Sequence, residues 1–218
     1  MSEGNTGSAL VVVDLQNDFC HPRGVVAGRG DSTSAVADVM PNVHRLVEAA
    51  RLDGVLVVFV RTEHSAATDS PAWASRPSVL RAAAAGIGHV PPCAKGTWGA
   101  EFFEVRPGPD DVVVTKFRYS GFLHTSLELR LRTLGIEHLY FCGTQTNVCV
   151  TTNAIDALQR DFRPELVADA SVTVRRESHD SAVREFADHV GPVLTTSEAI
   201  ARWDAGHPPA RSPQETRR

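Results

Sequence analysis

The sequence predicts an α/β fold of three layers, in which helices cover both faces of a doubly wound, mainly parallel sheet. Short apolar runs rich in β-branched residues recur along the chain without polar alternation, which is typical of strands buried on both faces. Segments with apolar residues at helical spacing lie between these runs. Strands that alternate with helices in this way indicate βαβ units and therefore an open parallel sheet.

The predicted strands are apolar segments that each end at a polar residue or a turn. They are Ala9–Val13, Val55–Val60, Val112–Thr115, Leu139–Cys142 and Leu166–Ala168. In an open parallel sheet, ligands bind outside the carboxyl ends of the strands. Polar residues directly after these segments are therefore the first candidates for a functional site.

The predicted helices are segments whose apolar residues form one stripe. They are Ser34–Leu52, Leu123–Leu134, Val148–Leu158 and Ser178–Val190. Gly54 and Gly135 follow the first two as stop signals. Thr62–Gly96 contains several prolines and no clean period, so we expect an excursion over the sheet edge, with a short helix at Val79–Ala85.

Composition and length favour one globular domain over residues 9–204, with disordered residues 1–8 and a polar, proline-rich tail at 205–218. The net charge of −4 gives no electrostatic reason to expect nucleic acid or an anionic membrane as partner. No apolar run reaches the ~18–20 residues that a membrane span needs. The four cysteines show no CxxC spacing, and Met1–Ser8 lacks the features of a secretory signal. We therefore expect a cytoplasmic protein.

Cys149 is the candidate nucleophile. The segment before it, GTQTNV, joins a predicted buried strand to a predicted helix, so its thiol is expected near a helix N-terminus. There the macrodipole and backbone N–H groups favour a thiolate, lower its pKa and can bind an oxyanion. A small buried core residue is the equally weighted alternative. Cys20, Cys93 and Cys142 lack this setting and are interpreted as core residues.

Asp14 and Lys116 directly follow two predicted strands. A carboxylate there can serve as general base toward a thiol and as general acid toward a departing amine. An ammonium group can hold this pair in register and stabilise the thiolate. The alternatives are a capping or salt-bridged carboxylate and a solvated charge at the rim of the sheet. Their shared position at strand ends favours a common crevice.

Three segments resemble the isochorismatase-like cysteine hydrolase superfamily: Ala9–Phe19 (ALVVVDLQNDF), Val112–Ile136 and His138–Phe162. By position, Asp14, Lys116 and Cys149 match the family's Asp–Lys–Cys triad. The resemblance implies hydrolysis of a small molecule through a covalent acyl-enzyme, without a cofactor. It also implies a homo-oligomer, either a dimer or a tetramer.

The same resemblance implies further site features. A cis peptide is expected between Thr144 and Gln145, and the N–H groups of Gln145 and Cys149 are expected to form the oxyanion hole. The segments KFRYSGF and TNVCV look closest to amidohydrolases of ureido and carbamoyl compounds, such as ureidoacrylate or biuret hydrolases. A small planar amide or urea is therefore the expected substrate.

Several side chains are candidates for substrate binding: Phe19, Trp98, Arg118, Tyr119 and Phe122. The aromatic rings would form walls, and the Arg118 guanidinium would meet a carboxylate. For the aromatic residues, and for Phe122 and Trp98 in particular, ordinary core packing is the alternative.

Metal-dependent nicotinamidases of this superfamily carry an Asp-x-His pattern and a further His after the second strand. Here the stretch Val60–Asp69 reads VRTEHSAATD, which keeps Glu63 and His64 but lacks the ligand pattern. No catalytic metal is therefore predicted. Whether Glu63 and His64 contact substrate stays open.

Three other functions compete with a cysteine amidohydrolase. Isochorismatases proper cleave a vinyl ether, often without the cysteine, so the presence of Cys149 argues against that reaction. A catalytically idle, oligomeric family member has no reason to keep all three triad residues. A dinucleotide-binding oxidoreductase fits the fold class, but no G-x-G-x-x-G follows the first strand.

Overall fold

The computed structural model describes residues 7–30, 32–77 and 91–205. Six strands, all paired in parallel, form one sheet in the order β3–β2–β1–β4–β5–β6. They are β1 (Ser8–Val13), β2 (Leu56–Thr62), β3 (Val112–Lys116), β4 (His138–Thr144), β5 (Arg163–Val172) and β6 (Val193–Leu194).

Helices connect the strands. They are α1 (Asn17–Cys20), α2 (Val25–Gly28), α3 (Ser34–Leu52), α4 (Pro71–Ala74), α5 (Leu127–Thr133), α6 (Thr151–Leu158), α7 (Arg176–His189) and α8 (Thr196–Asp204). A 3₁₀ turn spans Trp98–Ala100, and a π-helical turn, Thr146–Val150, leads into α6. Among the residues described, no helix is long and apolar enough to cross a membrane.

The core lies on both faces of the sheet because the strand side chains alternate between them. In β1, Leu10 and Val12 pack in the cluster that includes the α3 and α8 side chains. Val11 and Val13 pack in the opposite cluster, which includes side chains of α5, α6 and α7. Each fully buried side chain of this size contributes roughly 1.5–3 kcal/mol. This arrangement confirms the predicted three-layer α/β fold.

The strand order reverses between β1 and β4, since β1 pairs with β2 on one side and with β4 on the other. The carboxyl ends of these strands lie at one edge of the sheet, where crevices form at such a reversal. Lys116, at the end of β3, pairs in register with Thr62 at the end of β2. The sheet thus brings residues from distant parts of the sequence to one edge.

Predicted and observed elements differ in a few places. The predicted helix over Leu123–Leu134 begins only at Leu127, because His124 has a positive φ of 56° and the Thr125 hydroxyl accepts from the Leu127 N–H. Strand β1 begins at Ser8, one residue before the predicted strand Ala9–Val13. The predicted helix at Val79–Ala85, residues 1–6 and the tail at 206–218 lie outside the described residues.

Two elements at the end of the chain were not predicted. Strand β6 has two residues, too few for a periodic signal. Helix α8 begins with a capping box, in which the Thr195 hydroxyl accepts from the Glu198 N–H and Glu198 accepts from the Thr195 N–H. This Thr-x-x-Glu pattern is a readable signal for a helix start.

Candidate active site

Asp14 follows β1 and has a left-handed backbone conformation, with φ of 51°. This conformation is uncommon for residues other than glycine, although aspartate adopts it more readily than most. Its N–H donates to the Val60 carbonyl, which ties the turn to β2. The side chain is buried, so its carboxylate needs a partner inside the protein.

Lys116 supplies that partner. Its Nζ lies 2.8 Å from Oδ2 of Asp14 and 3.4 Å from Sγ of Cys149, and the lysine has no exposed surface. Burial lowers the pKa of Lys116, but the interactions with Asp14 and Cys149, that with Asp14 being the larger, outweigh burial, so the pKa lies above its ordinary value. The ammonium form therefore persists at neutral pH.

Thr62 links the carboxylate and the ammonium. Its hydroxyl accepts from Lys116 Nζ at 2.6 Å and donates to Oδ1 of Asp14 at 3.1 Å. Lys116 also donates to the Arg118 carbonyl at 3.2 Å. Sequence reasoning missed Thr62, although it ends a buried strand as the candidate residues do.

Cys149 lies in the π-helical turn between β4 and α6, next to a helix N-terminus as expected. The peptide between Thr144 and Gln145 is cis, at the position that the resemblance implied. Gln145 and Cys149 both line one cavity, together with Asp14 and Lys116. The three predicted catalytic side chains therefore converge.

The predicted low pKa of Cys149 is wrong. Burial raises the pKa of this thiol to about 12, and the neighbouring Lys116, which lowers it, does not compensate. Asp14 raises the pKa further through its negative charge. The thiol is thus protonated in the resting protein, and a base must remove its proton before it can attack.

The cavity has a volume of about 630 Å³, which suits a small organic molecule. Three of the five side chains predicted to bind substrate line it, namely Phe19, Arg118 and Tyr119. The Arg118 side chain is anchored by hydrogen bonds to the carbonyls of Thr68 and Phe117.

The other two predicted substrate contacts lie elsewhere. Phe122 is 5% exposed and packs in the core, with its ring centroid 5.7 Å from that of Phe162. Trp98 is 42% exposed and makes an edge contact with His21 at 5.0 Å, outside the cavity of its own chain. Neither side chain lines the cavity.

Several cavity side chains were not predicted, among them Trp73 in α4 and Arg76 just beyond it. The Arg76 guanidinium lies 4.2 Å from the centroid of the Trp73 ring, and that of Arg118 lies 4.8 Å from it. Arg76 donates to the Trp73 carbonyl at 2.6 Å. The sequence around α4 has no apolar periodicity. Ser70 followed by Pro71 was the one sequence signal for the start of this helix.

His64 lines the same cavity, but both of its ring nitrogens have partners. Nδ1 lies 3.0 Å from both carboxylate oxygens of Asp69, and Nε2 lies 3.3 Å from an Arg76 nitrogen. Within the described part of the chain, no group of three or more His, Cys, Asp and Glu residues could hold a metal ion. Glu63 forms ion pairs with Arg61 and Lys95 and does not line the cavity. These residues do not fit the nicotinamidase type of metal site.

Known proteins resemble this chain in sequence and in fold. Residues 8–198 match the isochorismatase domain family. The ureidoacrylate amidohydrolase RutB of Variovorax paradoxus (strain S110) is 38% identical over 173 residues, which cover 75% of this chain and 68% of that protein.

Two solved structures share the fold. A cysteine hydrolase from Pseudomonas syringae pv. phaseolicola 1448A superposes with a TM-score of 0.79 at 28% identity, covering 92% of this chain and 93% of the other. The N-carbamoylsarcosine amidase of Thermoplasma acidophilum superposes with a TM-score of 0.66 at 29% identity, covering 87% and 96%. The chain therefore belongs to the isochorismatase family, in its amidohydrolase branch.

Proposed function

We propose that this amidohydrolase cleaves a C–N bond of a small ureido or amide compound through a covalent intermediate on Cys149. The observation that carries this proposal is the position of Lys116 Nζ, which contacts both the Asp14 carboxylate and the Cys149 sulfur beside a cavity of substrate size. One cation thus contacts both the candidate base and the candidate nucleophile.

In the first stage, Asp14 removes the proton from the Cys149 thiol. The pKa of this thiol is about 12 even with the Lys116 ammonium 3.4 Å from its sulfur, so the resting thiol keeps its proton and the transfer to Asp14 is uphill. Lys116 limits that cost by stabilising the thiolate as it forms. The sulfur then attacks the carbonyl carbon, a C–S bond forms, and the carbonyl oxygen takes up the negative charge. In this proposal the N–H groups of Gln145 and Cys149 bind that oxygen.

Collapse of this intermediate breaks the C–N bond. The departing nitrogen takes the proton that Asp14 holds, so ammonia or an amine leaves as a neutral molecule. The substrate carbon stays bound to Cys149 as a thioester, or as a thiocarbamate when the substrate is a urea. Asp14 is again a carboxylate and is ready for the second stage.

Water completes the cycle. Asp14 takes a proton from a water molecule while the water oxygen attacks the thioester carbon, and the C–S bond then breaks. The thiolate recovers its proton from Asp14. Throughout the cycle Lys116 keeps its proton and stabilises negative charge on its two neighbours. No step requires a redox change.

The charges around the cavity support a substrate that carries a carboxylate. Among the described residues, Arg76, Arg118 and Arg175 bring positive charge to its lining. Asp14 is the one carboxylate among the described lining residues, and its charge is balanced by Lys116. The relative named as a ureidoacrylate amidohydrolase points to the same class. We therefore favour ureido acids over neutral amides such as nicotinamide.

We also expect a homo-oligomer, a dimer or tetramer, in the cytoplasm. Large apolar side chains at the surface support self-association: Leu129 on α5 is 70% exposed, and Leu134, directly after α5, is 54% exposed. All four cysteines are free thiols, which suits a reducing compartment. Light scattering after size exclusion tests the oligomeric state.

An assay of product release on a small panel tests the proposed reaction, with Cys149→Ala as the control. The panel contains ureidoacrylate, biuret, an N-carbamoyl amino acid, maleamate, nicotinamide and isochorismate. Ammonia release that depends on Cys149 is the expected result, strongest with the ureido acids. Pyruvate release from isochorismate that survives Cys149→Ala would overturn the covalent mechanism and assign a vinyl-ether hydrolase.

A further inference from the structure

Asn153 lies one helical turn after Cys149, has no exposed surface and does not line the cavity. Its side-chain amide makes three hydrogen bonds. Nδ2 donates to the carbonyl of Cys149 at 2.7 Å and to the carbonyl of Tyr119 at 3.0 Å. Oδ1 accepts from the N–H of Gly121 at 2.7 Å.

These partners determine the orientation of the amide. Two backbone carbonyls require a donor with two hydrogens, and a backbone N–H requires an acceptor, so only one assignment of oxygen and nitrogen satisfies all three. Aspartate has the same shape but offers no hydrogen to either carbonyl when ionised. A shorter side chain such as serine cannot span the three partners.

The three bonds join the two segments that carry the reacting groups. The Cys149 carbonyl belongs to the turn that presents the nucleophile. Tyr119 and Gly121 belong to the loop after Lys116, in which the Arg118 carbonyl also accepts from Lys116 Nζ. Asn153 therefore connects the backbone at the sulfur with the loop that follows the ammonium group.

The packing at this junction leaves little freedom. A Cβ atom added at Gly121 would lie 2.8 Å from Asn153 Oδ1 and 2.9 Å from a methyl group of Val60, both too close for an ordinary contact. The loop can thus approach α6 this closely only with glycine at position 121. Movement of the amide would displace the loop, and movement of the loop would displace the amide.

We propose that Asn153 is a positioning residue that sets the distance between Cys149 and Lys116 by holding the nucleophile turn against the Phe117–Phe122 loop. This inference rests on the proposed function, since it assigns Asn153 a part in bringing the sulfur and the ammonium together. Asn153 does not touch substrate in this role, so its loss should impair turnover more than binding.

Asn153→Asp and Asn153→Ser test the proposal, with Ser120→Ala as a matched control. Aspartate keeps the shape and the acceptor of Asn153 but loses both donor bonds. Serine removes the same bonds without burying a carboxylate, so it serves as the test if Asn153→Asp does not fold. Ser120 joins the same loop to the same helix through a bond to Asp156 Oδ2 at 2.5 Å, without contact to the Cys149 carbonyl. All variants are compared by thermal melting, steady-state kinetics and the rate of Cys149 alkylation by iodoacetamide at one fixed pH.

In the Asn153 variants we expect kcat to fall by about ten- to a hundredfold, as for small misplacements of reacting groups, with KM nearly unchanged. Cys149 alkylation should slow several-fold because the thiolate loses its contact with Lys116. Ser120→Ala should lower the melting temperature to a similar extent and keep kcat within about twofold of the wild type. Equal kcat losses in all variants, or Asn153 variants with wild-type kcat and alkylation rates, would overturn the inference. Alkylation of Cys149 requires no turnover, so its rate tests the role of Asn153 even if the protein does not hydrolyse the proposed substrates.

Discussion

The Lys116 ammonium donates to the Cys149 sulfur across 3.4 Å, although the two residues lie 33 positions apart in the sequence. The same nitrogen lies 2.8 Å from Asp14, so one cation neutralises both an acid and an emerging thiolate. Because all three groups are removed from water, each depends on its neighbours far more than a surface ion pair would. This dependence makes the site testable one residue at a time.

Lys116→Met should destabilise the protein and abolish most activity. It leaves the Asp14 carboxylate buried without its charged partner, and breaking a buried pair in this way costs about 3–5 kcal/mol. Lys95→Met is the matched control, because the Lys95 side chain is 70% exposed and its ammonium lies 3.7 Å from the Glu63 carboxylate. The control should change the free energy of unfolding by less than about 1 kcal/mol. Urea denaturation measures the free energy of unfolding of both variants. Equal decreases in the two would show that Lys116 does not stabilise a buried charge.

Cys149 should be the first cysteine that iodoacetamide modifies in the native protein. It is 8% exposed and lines the cavity, whereas the other three cysteines are at most 1% exposed. Since burial raises the pKa of Cys149 to about 12, the rate should keep rising with pH through the alkaline range. Mass spectrometry of peptides from briefly treated protein identifies the site, and Cys149→Ala should lose this early label. A rate that levels off near neutral pH would instead show a depressed thiol pKa.

Much of the fold was readable from the sequence because the strands are buried on both faces. Such strands appear as uninterrupted apolar runs, and Ala9–Val13 and Val112–Thr115 lie within β1 and β3. Helix α3 has the predicted bounds, because its stripe of apolar residues is long and Gly54 marks the end of the helix. Strand β6, with two residues, and helix α4, with four, are too short to carry a period.

The candidate site was partly readable for a similar reason. Asp14 and Lys116 stand at strand ends, a position that follows from the strand pattern alone. Trp73 and Arg76 belong to a segment whose position depends on tertiary contacts, such as the hydrogen bond between His64 and Asp69. The pKa of Cys149 was misjudged because the sequence does not show how deeply a single turn is buried. Burial raises the pKa of the thiol by more than the helix N-terminus and Lys116 lower it.

Alkaline pH should weaken the fold through Cys142. Burial raises the pKa of this thiol from 9.0 to about 12. Between these values the unfolded chain has lost the proton and the folded chain still holds it. The contribution of this thiol to the free energy of unfolding is therefore fully present below about pH 9 and is lost as the pH rises toward 12. The slope for one thiol reaches about 1.4 kcal/mol per pH unit. Urea denaturation of wild type and Cys142→Val at several pH values measures the difference, and parallel pH profiles would contradict the shift.

Chelators should leave the activity unchanged. The His64 ring is held by Asp69 and Arg76, and both nitrogens are engaged. Burial lowers the pKa of His64 despite its contact with Asp69, so the ring is neutral near pH 7 and acts as a hydrogen-bonding group. Activity after dialysis against EDTA, with the metal content measured by emission spectroscopy, checks this expectation. Loss of activity that zinc restores would show that a metal takes part.

Arg118→Gln should lower kcat/KM for a ureido acid more than for a neutral urea. The Arg118 side chain lines the cavity and is anchored by the carbonyls of Thr68 and Phe117, so its charge is held in place before substrate binds. A hydrogen bond to a charged group contributes about 1.5–3 kcal/mol, which corresponds to roughly ten- to 150-fold in kcat/KM.

The matched substrates are N-carbamoyl-β-alanine and n-propylurea, in which a methyl group replaces the carboxylate. Arg61→Gln is the control variant, because Arg61 hydrogen-bonds Thr115 and lies over the Phe102 ring outside the cavity. Arg118→Gln should reduce the preference for the acid, and Arg61→Gln should preserve it. If Arg118→Gln lowers kcat/KM equally for both substrates, the arginine supports the structure of the site and does not recognise a carboxylate.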